Sequence, residues 1–351
     1  MIVLQANNLS KRYPGSQIKA VTDFFLEVRK GEILALLGES GCGKTTVLRM
    51  ISGFEIPDTG ELHIDGKLIS ANGFFTEPEK RGVGIVFQDY ALFPHKTVAE
   101  NVGFGLFRLD KTQKQGRISE VLELTGLTGF EKRYPHQLSG GQRQRVALAR
   151  ALAPNPGLIL FDEPFSNIDT VLKNQIREDI REIINKSGTT AIFVTHDTKD
   201  VLAIADRAVV MKDGKTLQID TPGNLYSKPA NRYVAAFFGK TNFITAKPVK
   251  NGFEATIGFI AAENAACLDK PVLTLSIRPE SFQIVEPNNS AAIKGRILSQ
   301  KFFGEYTELI VEVLSSEKPE NITVHLKPGH QHPGAECWFE VDEVGISILG
   351  I

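Results

Sequence analysis

Three short stretches hold residue types able to do chemistry on a phosphate. Gly38-Glu39-Ser40-Gly41-Cys42-Gly43-Lys44-Thr45 fits the pattern GxxxxGK followed by Ser or Thr at every fixed position. Its glycines let consecutive backbone N–H groups turn inward as a nest for an anion. A helix starting near Gly43 adds unsatisfied N–H groups and the positive end of its dipole. Lys44 supplies a point charge for β- and γ-phosphates, and the Thr45 hydroxyl is a ligand for Mg2+. Cys42 fills a free position and reads as a small filler, not a reactive thiol. In the second stretch, Leu158-Ile159-Leu160-Phe161 runs into Asp162 and Glu163. A buried strand tolerates acids only at its C-terminal edge, where ligands of α/β sheets bind. Asp162 is expected to hold Mg2+ through a water. Glu163, on the opposite face by strand alternation, is the candidate for orienting and deprotonating an attacking water. In the third, His196 follows the apolar run Ala191–Thr195. A neutral imidazole there is placed to hydrogen-bond a γ-phosphate and fix the water.

These side chains need a scaffold that brings strand ends together. Glu32–Leu37, Val83–Phe87, Leu158–Phe161, Thr190–Thr195 and Ala208–Met211 read as buried strands. Thr45–Ser52 has helical spacing closed by Gly53. In Asp169–Lys186, Leu172, Ile176, Ile180 and Ile183 recur at three- and four-residue intervals, with Gly188 just beyond. Strands alternating with helices predict a parallel sheet covered on both faces. Residues 90–153 lack a clear strand and read as a mostly helical insertion. Beyond about residue 240 the texture becomes short and β-rich: Val272–Ile277, Ala292–Leu298, Thr307–Val313, Ile322–Leu326 and Cys337–Val341. That predicts a small all-β barrel or sandwich after a helical Asn231–Phe238.

Composition excludes several classes. The 351 residues carry 40 Lys plus Arg against 41 Asp plus Glu, and 42% are apolar. That is an ordinary globular chain of about two domains, with no global field to draw it to nucleic acid or anionic lipid. Cys42, Cys267 and Cys337 form no metal-type spacing, and the odd count predicts reduced thiols. No run approaches the roughly 18–20 apolar residues of a membrane span, and no signal-peptide pattern opens the chain. Any membrane role is expected to come through a partner.

Leu138-Ser139-Gly140-Gly141-Gln142, lying between the Gly-rich loop and the carboxylate strand, makes the chain resemble the ATP-binding cassette ATPases over about residues 3–240. The resemblance implies a P-loop NTPase cassette at 1–240, with a helical sub-domain at about 89–155, and an oligonucleotide-binding-type β accessory domain at 241–351. It implies ATP and Mg2+ as cofactors and Gly38–Thr45 with Thr46 as the nucleotide loop. Tyr13 then stacks on adenine, and Gln88 reaches the metal and the water and links the sheet to the helical sub-domain. Thr45, Gln88 and Asp162 form the metal set, and Glu163, His196 and Gln88 the catalytic set. It further implies a homodimer in which Ser139, Gly140, Gly141 and Gln142 contact the nucleotide in trans, with Asp169 in a dimer loop. Ser166-Asn167-Ile168-Asp169 stands where relatives usually carry Ser-Ala-Leu-Asp, so Asn167 and Ile168 depart from the pattern. Arg143, Arg145 and Arg150 read as a solvated or salt-bridged face rather than a nucleic-acid surface.

Asp89–Val98 (DYALFPHKTV) is similar to the segment of bacterial importer ATPases that receives a membrane subunit's coupling helix. Leu92, Phe93 and Pro94 are expected to be exposed there as a docking patch. Leu275-Ser276-Ile277-Arg278-Pro279-Glu280 resembles the accessory-domain motif of such importers. The resemblance thus implies an importer ATPase at the cytoplasmic face of the inner membrane, bound to permease subunits and indirectly to an external binding protein. It is closest to the ferric-iron importers, with polyamine, sulfate, molybdate and sugar importers sharing most of the pattern. A soluble cassette ATPase acting on DNA or ribosomes is the alternative, but it usually has two cassettes or a coiled-coil insertion. His330 and His332, in a Gly/Pro-bounded loop, read as exposed surface and not a metal site.

Overall fold

A computed structural model of the chain describes residues 1–166, 168, 170–261, 271–286, 292–314, 320–328 and 335–349. Asn167, Asp169, Cys267, His330 and His332 lie outside the described residues. The chain divides into two compact units, Met1–Pro222 and Gly223–Ile351.

The first unit runs, in chain order, through β1 (Ile2–Lys11), β2 (Val21–Arg29), β3 (Ile33–Leu37), α1 (Lys44–Ser52), β4 (Thr59–Ile64), β5 (Lys67–Ala71) and β6 (Phe74–Phe75). It continues through β7 (Val83–Val86), α2 (Val98–Val102), α3 (Lys111–Leu124), α4 (Gly140–Leu152), β8 (Leu158–Asp162) and α5 (Thr170–Ser187). It ends with β9 (Thr190–Thr195), α6 (Thr198–Ile204), β10 (Arg207–Lys212) and β11 (Lys215–Asp220). The central sheet has the order β11-β10-β3-β9-β8-β7; it is parallel apart from the β10–β11 edge pair. All five strands expected around the site are present, as β3, β7, β8, β9 and β10. The antiparallel sheet β2-β1-β4-β5-β6 was not foreseen from the sequence, because its strands are shorter in apolar content and interrupted by bulges.

Strand alternation divides the core in two. Leu158, Leu160, Ile192 and Val194 pack with α1 (Val47, Met50 and Ile51) and with the antiparallel sheet. Ile159, Phe161, Ala191 and Phe193 turn the other way, onto α4 and α5. The Phe161 and Phe193 rings stack at 4.1 Å. A strand buried on both faces has no polar position to spare, so its acids appear only where the pairing ends.

Among its described residues the second unit contains α7 (Pro222–Ser227, from Gly223 on), α8 (Arg232–Phe237) and ten strands: β12 (Asn242–Val249), β13 (Gly252–Ala255), β14 (Gly258–Ala261), β15 (Leu273–Ile277), β16 (Phe282–Val285), β17 (Ile293–Phe302), β18 (Thr307–Val313), β19 (Glu320–Leu326), β20 (Glu336–Val341) and β21 (Ile346–Leu349). They form two antiparallel sheets, β14-β13-β12-β15-β21 and β16-β20-β17-β18-β19, over one apolar core that includes Leu275, Leu309, Val324 and Phe339. The division falls after Pro222 and not near 240. Arg278, 5% exposed, explains this: its guanidinium donates to the carbonyls of Tyr226 (2.9 Å), Ala235 (2.9 Å) and Gly239 (3.2 Å), fastening α7 and α8 to the end of β15. Arg278 therefore has a structural task within the LSIRPE stretch. No helix among the described residues is long and apolar enough to cross a membrane.

Candidate active site

The Gly-rich loop leaves β3, whose five residues are all buried, and enters α1. Gly43 sits at the helix N-cap with φ 104°, where a Cβ would come within 2.3 Å of the Ala20 carbonyl oxygen. Only glycine satisfies both the left-handed backbone and the close approach. No side chain caps α1, so its first N–H groups are left for a ligand. Lys44, 4% exposed, curls back over the loop: its ammonium donates to the carbonyls of Gly38 (2.8 Å) and Glu39 (2.9 Å) and lies 3.6 Å from Cys42 Sγ. Cys42 is buried beneath the loop, as a filler would be. A cleft of about 370 Å3 opens here, lined by residues that include Tyr13, Ser40, Gly41, Lys44, Thr45, Thr46 and Glu163. The Tyr13 hydroxyl is 3.4 Å from Thr46 Oγ1.

β8 delivers the two acids to this cleft edge. Asp162 pairs with Val194 of β9 and is half-buried. Burial pushes its carboxyl above the usual range, as does neighbouring Glu163; Arg49 and Lys44 oppose the shift. Glu163 has φ 44°, a left-handed conformation that costs a non-glycine residue about 1–2 kcal/mol. It is fixed there by its N–H donating to Val194 O (3.0 Å) and by its carbonyl accepting from the Ser166 hydroxyl (2.9 Å). The Glu163 carboxylate lies 3.3 Å from His196 Nδ1. A neutral imidazole donating from Nδ1 keeps Nε2 as an acceptor.

His196 is positioned by its flanking residues Thr195 and Asp197, and through them by α5 and α6. Thr195 Oγ1 donates to Asp200 (2.5 Å) and accepts from the Asp197 N–H (3.0 Å). Asp197 caps α6 and accepts from Lys173 (2.9 Å) and Arg177 (3.1 Å) of α5, while buried Arg177 also grips buried Asp200. The residues flanking the imidazole are thus pinned from two helices. The i, i+4 spacing of Lys173 and Arg177 was visible in the sequence, but nothing there named Asp197 and Asp200 as partners.

The Ser139–Gln142 stretch forms the first turn of α4. Ser139 is the N-cap: its hydroxyl accepts from the Gln142 N–H (3.3 Å), and Gln142 Oε1 accepts from the Ser139 N–H (3.0 Å). Buried Gln144 donates to Pro164 O at 3.1 Å, tying α4 to the loop after Glu163. None of Ser139–Gln142, Gln88, Asp162 or His196 lines the 370 Å3 cleft. Gln88 is exposed, in the turn closed by the Tyr90 N–H donating to Phe87 O (3.0 Å). Of the three arginines, Arg145 pairs with Asp179, Arg143 is exposed, and Arg150 donates to backbone carbonyls.

The expected docking patch is corrected in part. Leu92 and Phe93 are half-buried and only Pro94 is exposed. Leu92 packs on the helical core, and the Phe93 ring lies 4.4 Å from Phe104, beneath Arg150. Local packing has claimed both side chains, so the solvent-facing apolar residues nearby are Phe104 and Phe107, at 54% and 77% exposure.

The fit of the groups implied can be tested on this arrangement. An uncapped α-helix N-terminus, a buried lysine and a left-handed glycine suit a polyphosphate. One hydroxyl and one carboxylate suit Mg2+, which takes few protein ligands and completes its shell with substrate phosphates and water. Among the described residues no group of three or more His, Cys, Asp or Glu side chains forms a separate metal site.

Comparison with known proteins agrees. Residues 21–166 match the family model described as ABC transporter. The sulfate/thiosulfate import ATP-binding protein CysA 2 of Chromobacterium violaceum is 44% identical over 311 residues, 87% of this chain and 83% of that protein. The Fe(3+) ions import ATP-binding protein FbpC of Haemophilus influenzae is 41% identical, over 89% of each chain. The spermidine/putrescine import ATP-binding protein PotA of Nitrosospira multiformis is 39% identical, over 99% of this chain and 96% of its own length. Among solved structures, a dimeric post-hydrolysis state of the ATP-binding cassette MJ0796 bound to ADP and Pi superposes with a TM-score of 0.53 at 31% identity, covering 62% of this chain and 98% of that one. With a relative 44% identical across most of both chains, and with a phosphate loop, acid pair and imidazole arranged as above, this chain belongs to the ABC transporter family and is one of its ATPases.

Proposed function

We propose that the chain energises an importer, that two copies close head to tail around two ATP molecules, and that the pair docks on membrane permease subunits. One observation carries the dimer: the solved ATP-binding cassette similar to this chain is dimeric in its ADP- and Pi-bound post-hydrolysis state. A second copy supplies the missing half of the grip on the γ-phosphate. In this reading Glu163 orients and deprotonates the attacking water, His196 holds the γ-phosphate side, and Tyr13 stacks on the base. Thr45, Asp162 and Gln88 would hold Mg2+, which when bound neutralises charge on the phosphate oxygens. Binding of ATP favours the closed pair and hydrolysis loosens it. Asp169, in the dimer loop of this reading, lies outside the described residues.

For cargo we propose ferric iron. The relatives named for Fe(3+) import support it; the relative named for sulfate/thiosulfate import, at 44% identity, and those named for spermidine/putrescine import support sulfate and polyamine as competing cargoes. The chain itself recognises neither, because in this arrangement the external binding protein and permease meet the cargo. Glu163→Gln should keep ATP binding, lower turnover roughly 100-fold or more, and accumulate as an ATP-bound dimer on size-exclusion chromatography. Wild-type turnover by this variant would remove the assignment of the base. Uptake of radiolabelled iron, sulfate and spermidine by cells lacking the gene decides the cargo.

A further inference from the structure

The turn bearing Gln88 is built in an unfavourable backbone and clamped by the Arg150 side chain. Tyr90 and Ala91 both lie in the left-handed region, with φ 64° and φ 44°. Two consecutive non-glycine residues do not adopt this conformation unaided. Arg150, in the last turn of α4, donates from Nη1 to the Ala91 carbonyl (2.5 Å) and from Nη2 to the Tyr90 carbonyl (2.9 Å). The planar guanidinium fork fits two adjacent carbonyls, and no other cationic side chain offers that geometry. The same guanidinium lies 5.6 Å from the centroid of the Phe93 ring, so it holds the turn on both sides of Leu92. Asn101 of α2, fully buried, fastens the next stretch: it accepts from the Phe93 N–H (2.9 Å) and donates to the carbonyls of Phe93, Lys96 and Thr97.

α4 is also the helix that begins at Ser139. A rigid α-helix of this length places Arg150 roughly 16 Å from Ser139. We propose that Arg150 is a positioning residue for the hydrolytic site: it transmits the position of α4 to the turn carrying Gln88, so that seating Ser139 on nucleotide and presenting Gln88 to the metal and water become one movement. This rests on the reading of Gln88 and Ser139 given above. Arg150 touches neither substrate nor metal in this account, and acts only through the carbonyls of Tyr90 and Ala91.

The test uses the full chain. Arg150→Lys retains the charge but not the fork, and should lower kcat at least tenfold while KM for ATP stays within about twofold. Amide hydrogen exchange across residues 88–97 should quicken in the same variant. Ala91→Gly makes the left-handed turn accessible without help. In the double variant it should restore kcat at least threefold over Arg150→Lys alone, a rescue that a merely structural arginine would not show. The proposal is overturned if folded Arg150→Lys keeps kcat within twofold of wild type, if exchange over 88–97 is unchanged, or if Ala91→Gly fails to restore turnover. Glu163→Gln in the same assay separates the two ideas. If it hydrolyses normally the hydrolytic reading fails; if it is silent while Arg150→Lys is fully active, only the positioning role fails.

Discussion

Lys44 shows how backbone can hold a site cation. Its buried ammonium donates to Gly38 O and Glu39 O, which fixes the charge at the Gly-rich loop. A cation held in place limits the ordering needed for a polyphosphate to bind. Lys44→Ala should therefore weaken ATP binding itself, raising the Kd at least tenfold, about 1.4 kcal/mol. Fluorescent-nucleotide titration measures this, and an unchanged Kd would show that the backbone nest alone holds the phosphates. Glu163 makes the complementary point. Its acid could be read from the end of an apolar run, but its left-handed backbone and its 3.3 Å approach to His196 were not legible, because the two residues are joined only by the pairing of β8 with β9.

At the scale of elements, the helical insertion shares one apolar core with the sheet, and within it the irregular loop at 93–97 is fastened by side-chain hydrogen bonds to backbone. Asn101 is the clearest case, since one carboxamide meets four backbone groups of the loop at 93–97. Asn101→Ala removes the side-chain partner of the Phe93 N–H and of the Phe93 and Lys96 carbonyls, while Thr97 O keeps the backbone N–H of residue 101, and should cost about 1–3 kcal/mol. Urea denaturation followed by far-UV circular dichroism checks the loss, and a change below about 0.5 kcal/mol would mean that water replaces the amide. The expected exposure of Leu92 and Phe93 failed at this same scale. A Leu-Phe-Pro run following a polar turn looks solvent-facing in one dimension, but Phe104, a residue of the insertion, folds over to cover it.

For the whole molecule, two units imply two stabilities to measure. The single tryptophan, Trp338, lies in β20 of the C-terminal unit, so its fluorescence reports on that unit. Arg278 gives three carbonyls of α7, α8 and the following turn their donor, and its guanidinium lies 4.0 Å from the centroid of the Tyr226 ring. Arg278→Ala should destabilise that unit by about 3 kcal/mol, seen as a Trp338 transition at lower urea, while ATP binding by the N-terminal unit stays within twofold. Loss of ATP binding in step with the tryptophan transition would show that the units do not unfold separately.

The phosphate loop, the carboxylate strand, the terminal histidine and the Ser-Gly-Gly helix start were legible because each is a local pattern whose chemistry fixes residue type at fixed spacing. The same holds for the strands β3, β8, β9 and β10, whose continuous apolar runs leave no alternative to burial on two faces. Tertiary structure alone decided the rest: which acid meets the imidazole, which arginine is a backbone clamp and not a surface charge, and which apolar side chains the loop at 88–97 keeps for itself. It also set the division after Pro222, since that depends on Arg278 reaching back some 40–50 residues to carbonyls that carry no sequence signature. Backbone carbonyls are identical at every position, so a side chain that finds its partners among them cannot announce it in the sequence.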